Sequence, residues 1–159
     1  MPPSTLVRLP NWLGDIVMAL PAWHALRAWP AAGRTTVAVP ASLAPVAAMI
    51  EGVDEVLPLA AAGKAWGAAF DGDVAKVRAG RFDRVVLFTN SFGSAWMMSR
   101  AGVPERWGYR AEGRRLLLTR SVGRRGVARA GRGVPSGARD APSGSGRPRR
   151  VRCGVMGLV

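Results

Sequence analysis

The chain has 159 residues, 48% of them hydrophobic, a mean hydropathy of +0.09 and a formal net charge of +13. That length suits one domain with a real core and is short for two; no run approaches the roughly 20 apolar residues that span a bilayer, and no basic leader runs into a long apolar segment. A single cysteine, Cys153, excludes an internal disulfide framework and fits a reducing, cytoplasmic compartment.

In chain order, Thr5 to Leu9 reads as a strand and Pro10 ends it. A polar corner follows at Asn11 to Asp15, and an apolar helical pattern starts at about Asp15. Pro21 removes a backbone donor and is expected to kink or divide this helix before Ala22 to Trp29. Pro30 to Arg34 is a turn, and the β-branched stretch Thr36 to Val39 is a second strand. Leu43 to Ile50 reads as a helix ended by Gly52, with a short third strand at Val56 and Leu57. The Ala- and Gly-rich segment 60–73 has no clear pattern, and Val74 to Ala79 finishes a helix.

Arg84 to Phe88 is a continuous apolar run of the kind buried on both faces of a parallel sheet. Thr89, Asn90 and Ser91 close it. Ser94 to Arg100 is a helix punctuated by Gly102 and Pro104, and Arg106 to Gly108 adds a strand. Strands alternating with helices across short connections predict an α/β fold, a Rossmann-like doubly wound parallel sheet.

In such sheets ligands gather outside the carboxyl ends of the strands. Asp15 is therefore the first candidate for chemistry, and Asn90 and Ser91 are expected at the same sheet edge. Each has a plainer alternative. Asp15 can be an N-cap or first-turn acid, Asn11 and Gly14 can be turn residues, and Ser91 or Ser94 can cap the helix that follows. Lys64 lies in a Gly-flanked loop. No phosphate-binding glycine loop, dinucleotide fingerprint or Cys/His metal cluster is present, so neither a metal nor a bound cofactor is expected.

After Val122 the periodicity stops. Residues 123–159 hold nine Arg and one Asp, so most of the net charge lies there, and 18 of these 37 residues are Arg or Gly. Such a composition cannot bury enough apolar surface to offset its chain entropy, and disorder is expected.

The segment Leu6 to Arg27, LVRLPNWLGDIVMALPAWHALR, resembles the opening of glycosyltransferase family 9, the ADP-heptose:lipopolysaccharide heptosyltransferases, and most of all its heptosyltransferase II members. Three further stretches follow in the family's order: GVDEVLPL from Gly52, RFDRVVLFTNSFGSAWMMSRAGVPERWGYR from Arg81, and GRRLLLTRSV from Gly113. The resemblance covers Leu6 to Val122. It implies that residues 1–122 are the N-terminal, acceptor-side half of a GT-B glycosyltransferase, and that 123–159 stand where the family continues its fold. Out-of-frame reading of GC-rich coding DNA yields an Arg, Gly, Ala, Pro and Ser composition, so a frameshift near Val122 or a truncated gene is inferred.

The resemblance makes Asp15 the general base of heptose transfer. Asn11, Gly14, Asn90, Ser91 and Arg110 become acceptor contacts, and Arg114 and Arg115 possible partners for acidic groups. It implies ADP-heptose as donor, held mainly by the domain beyond Val122. It also implies a lipid A-linked inner-core sugar as acceptor, and work at the cytoplasmic face of the inner membrane as a peripheral protein. The competing readings are a catalytically inactive fragment that keeps the acceptor half-site and, last, a basic nucleic-acid-binding protein. Against the latter, the tail's charges are diluted by Gly and Pro and no aromatic residue there can stack on bases.

Overall fold

The computed structural model describes residues 3–61, 63–110 and 113–122. Six strands form one wholly parallel sheet: β1 Ser4–Arg8, β2 Arg34–Pro40, β3 Glu55–Leu59, β4 Arg84–Leu87, β5 Glu105–Tyr109 and β6 Arg120–Val122, in the spatial order β3-β2-β1-β4-β5-β6. Four helices connect them: α1 Leu13–Arg27, α2 Ala44–Ala48, α3 Ala68–Ala79 and α4 Phe92–Arg100. This is the doubly wound arrangement expected from the alternation.

The alternation of side chains along each strand sends its residues to two separate cores. Val7 and Leu9 of the β1 segment, Val37 and Val39 of β2 and Val86 of β4 pack with Ile16, Trp23 and Leu26 of α1 and Ala47 of α2. On the opposite face Leu6, Ala38, Val85 and Leu87 pack with Phe70, Val74 and Val77 of α3 and Ala95, Met97 and Met98 of α4. β1 sits at the centre, in register with β2 from Ser4 opposite Arg34 and with β4 from Thr5 opposite Arg84.

Several local features differ from the sequence reading. α1 is one helix that runs through Pro21 rather than two halves. The carbonyl that loses its donor is that of exposed Val17, where water can replace the missing bond. The helix expected over Leu43 to Ile50 is a 3-10 turn, Ala41–Leu43, followed by the short α2. α3 begins six residues before Val74, at Ala68, after Gly67 with a φ of 101°. His24 is exposed.

Pro58 lies within β3, which its missing donor allows because β3 is an edge strand. β6 forms the other edge, a strand the sequence pattern did not single out. The disorder expected for 123–159 lies outside the described residues. Among the described residues no helix is long and apolar enough to cross a membrane.

Candidate active site

β1 leads to β2 on one side while its other neighbour is β4, so the strand order reverses between β1 and β4. A crevice opens outside their carboxyl ends, where open α/β sheets place ligands. It is an open cleft of about 640 Å³, lined from the β1 side by Pro10, Asn11, Trp12, Asp15, Met18 and Ala19 and from the β4 side by Phe88, Thr89, Asn90 and Ser91. Four of the six residues singled out from the sequence, Asn11, Asp15, Asn90 and Ser91, thus come together.

Asp15 stands in the first turn of α1, the third residue of a helix that starts at Leu13. It is not the cap. Trp12 holds the N-cap position in extended conformation and makes no side-chain cap bond. The Asp15 carboxylate is exposed and has no hydrogen bond or ion pair among the described residues. It faces the cleft as an acceptor with its lone pairs uncommitted.

Asn90 is likewise exposed and without a hydrogen bond among the described residues. Ser91 is different. It is the N-cap of α4, its hydroxyl accepting from the Ser94 amide at 3.4 Å and donating to the Ser94 hydroxyl at 3.1 Å. Thr89 donates to the same Ser94 hydroxyl at 2.7 Å, and the Ser94 hydroxyl donates to the Ser91 carbonyl at 2.8 Å. Capping therefore occupies most of the capacity of Ser91, as the plainer alternative expected.

Two of the six do not line the cleft. Gly14 lies within α1 without a positive φ, and a Cβ there would meet nothing within 4 Å, so neither a tight turn nor crowding requires glycine. Arg110 lies just past β5, exposed, with Nη2 at 3.5 Å from the Ser121 hydroxyl that it donates to. The sequence pattern could not place Arg110, because it gives no distance between the β1 corner and the end of β5.

Two arginines carry the architecture of the site, and sequence reasoning gave neither that role. Arg8, only 3% exposed, lies on the α3/α4 face of β1. It donates from Nη1 to the Leu9 carbonyl and, at 3.3 Å, to the Ala38 carbonyl, and from Nη2 to the side-chain oxygen of Asn11. Burial lowers its pKa to about 10, opposed by the field of Asp73, so it stays charged at neutral pH. Asp73, fully buried, accepts the Ala60 and Ala61 amides at 3.1 and 2.7 Å and so fixes the start of the loop that carries Lys64.

Arg114, which the resemblance offered as a partner for acidic groups, is fully buried instead. Its Nε donates to the Tyr109 carbonyl at 2.9 Å, and its Nη1 to the carbonyls of Thr89 at 2.6 Å and Ser91 at 3.3 Å. It braces the segment that carries Asn90. Gly108 packs against it, and a Cβ there would lie 2.6 Å from the Arg114 guanidinium. Among the described residues no group of three or more His, Cys, Asp or Glu side chains could hold a metal ion.

The chain is 33% identical over 117 residues to lipopolysaccharide heptosyltransferase 2 of Escherichia coli (strain K12), covering 71% of this chain and 33% of that protein. The described domain is related to the N-terminal part of the family 9 heptosyltransferases. Two solved structures share the fold. The E. coli ADP-heptose lipopolysaccharide heptosyltransferase II matches with a TM-score of 0.62 at 30% identity, over 74% of this chain and 34% of that one. The glycosyltransferase family 9 protein of Veillonella parvula DSM 2008 matches with a TM-score of 0.66 at 17% identity, over 76% and 36%. The second likeness is one of fold alone. No family model matches the chain. The chain spans about a third of the length of the heptosyltransferases it matches.

Proposed function

We propose that the domain is the acceptor-binding part of a heptosyltransferase of lipopolysaccharide core assembly, with Asp15 as the general base. The observation that carries this reading is the carboxylate itself, without a hydrogen bond or ion pair among the described residues and facing the cleft at the switch point between β1 and β4. An acceptor hydroxyl seated there gives its proton to Asp15 as its oxygen attacks the anomeric carbon of the heptose. The bond from that carbon to the phosphate oxygen breaks on the far side, ADP leaves with the electron pair, and the configuration inverts. A carboxylate within roughly 2.6 to 3.2 Å of the hydroxyl suffices for this proton transfer.

Asn11 and Asn90 hold the acceptor by hydrogen bonds from either side of the cleft, and Trp12 and Phe88 offer apolar walls to the faces of a sugar ring. Ser91 acts through its cap, by fixing the start of α4. Arg110, away from the cleft, is assigned to acidic groups of the acceptor remote from the reacting hydroxyl. ADP-heptose binds mainly to the part of the relatives that this domain does not match. The acceptor is lipid A-linked, so the reaction belongs at the cytoplasmic face of the inner membrane.

The test is a chimera in which residues 1–122 replace the matching segment of the E. coli enzyme. Heptose transfer from ADP-heptose to a core acceptor lacking heptose is expected. A folded chimera that transfers nothing overturns the enzymatic reading, and acceptor binding without transfer would leave the inactive half-site in its place.

A further inference from the structure

We propose that Arg8 is a positioning residue of the cleft: its buried guanidinium holds the side-chain oxygen of Asn11 and so fixes which way the two N–H donors of Asn11 are presented. The proposal deepens the acceptor-site reading and rests on it for the identity of the ligand. An arginine has N–H donors and no acceptor, so the Asn11 atom that meets Nη2 has to be Oδ1. Chemistry fixes the orientation of this amide. The nitrogen makes no hydrogen bond among the described residues, and it lies beside the loop before α3, where a Cβ at Gly63 would be in ordinary contact with Asn11 Nδ2 at 3.9 Å.

A charge buried at the carboxyl end of a central strand is costly unless its donors are satisfied. Two of the bonds of Arg8 go to the Leu9 and Ala38 carbonyls, which a structural plug would explain. The third goes to a side chain that lines the cleft and belongs to no strand or helix. Asn11 is thereby a donor and the Asp15 side chain offers acceptor oxygens, both on the β1 side of one crevice. That couple suits a hydroxyl group, which accepts from Asn11 through a lone pair while its proton points to Asp15. It suits poorly any group that can only donate.

The sequence supplies an unusually clean probe. The chain contains two asparagines, Asn11 and Asn90, and no glutamine, so a nitrogen-15 labelled sample has two side-chain amide pairs. Asn90→Ser removes one and assigns the other. In the unmodified chain the Asn11 amide is expected to be as ordered as the backbone, with an order parameter of about 0.85, and in Arg8→Met to fall below about 0.6. The Asn90 pair should not change. An Asn11 amide that is already mobile in the unmodified chain, or that stays ordered and unshifted in folded Arg8→Met, overturns the proposal and leaves Arg8 as a plug. If Arg8→Met does not fold, Arg8→Lys is read in the same way, since a lysine keeps the charge but loses the planar fork. No sugar or nucleotide is present in the sample. Release of Asn11 by the Arg8 substitution therefore supports the positioning role even if the chimera transfers nothing, and an indifferent Asn11 sinks that role even if the chimera is active.

Discussion

The Nη1 of Arg114 donates to the Thr89 carbonyl at 2.6 Å, which ties the turn ahead of β6 to the carboxyl end of β4. The same side chain reaches the Tyr109 and Ser91 carbonyls, so one guanidinium holds together the end of β5 and both sides of Asn90. Arg114→Met keeps the length and apolar bulk but takes this donor from the Thr89 and Tyr109 carbonyls, while the Ser91 carbonyl keeps the Ser94 hydroxyl. Each buried acceptor left without a partner costs about 1 to 3 kcal/mol, partly offset because a charge is no longer buried, and a net loss of about 2 to 4 kcal/mol is expected in denaturant unfolding. A loss under about 0.5 kcal/mol would place Arg114 among ordinary surface residues.

Gly108 makes room for that arginine. A Cβ there would come within 2.6 Å of Arg114 Nη2 and 3.3 Å of Leu87 Cβ, and neither neighbour can move freely in a packed sheet. Gly108→Ala is expected to cost about 1 to 3 kcal/mol, the scale of overpacking a core. Because the two residues touch, the double variant Gly108→Ala with Arg114→Met should cost less than the sum of the single changes. Additive losses would show that the alanine is accommodated elsewhere.

Asp54 gives the stability a pH dependence. Its carboxylate accepts the Thr35 amide at 2.7 Å and the Thr35 hydroxyl at 2.9 Å, with Arg27 at 3.3 Å, and these contacts hold its pKa below the ordinary 3.8, the Thr35 amide bond contributing most. A folded-state value below the unfolded one means that the contribution is fully present above about 3.8 and fades as the pH falls through the folded value. Asp54→Asn can still accept from Thr35 but does not titrate. The stability difference between the unmodified chain and this variant should hold constant near neutrality and shrink below pH 3.8. A difference independent of pH would refute the assignment.

Much of the fold was readable because burial on both faces writes itself as continuous apolar runs. Arg84 to Phe88 is such a run, and β4 lies beside β1 at the centre of the sheet. The edges were less legible. β6 is three residues long and begins with an arginine, and α2 is a single short helix behind a 3-10 turn. For the site, the rule that ligands collect at strand ends brought Asp15 and Asn90 to one cleft. It could not reveal Arg8 or Arg114, since each is buried by meeting carbonyls from other segments, and no local pattern records that. Of the two plainer readings of Asp15 the first-turn acid holds and the N-cap does not, because the helix begins two residues earlier than the polar corner suggests.

That early start separates the structural and chemical roles of Asp15. The carboxylate makes no cap bond and no ion pair among the described residues, so its only structural contribution is its charge near the positive end of α1. Such a charge contributes about 0.3 to 1 kcal/mol at an exposed position. Asp15→Asn and Asp15→Ala should therefore both leave the unfolding free energy of the chain within about 1 kcal/mol of the unmodified value, where a true N-cap would make alanine cost up to about 2. In the chimera with the E. coli enzyme the same Asp15→Asn substitution keeps the volume and removes the base. A general base typically supplies 10²- to 10⁴-fold in rate, and a fall of that order in kcat with a nearly unchanged melting temperature is expected. An Asp15→Asn chimera that transfers heptose at close to the unmodified rate would remove Asp15 from the chemistry and leave the cleft as a binding site whose base lies elsewhere.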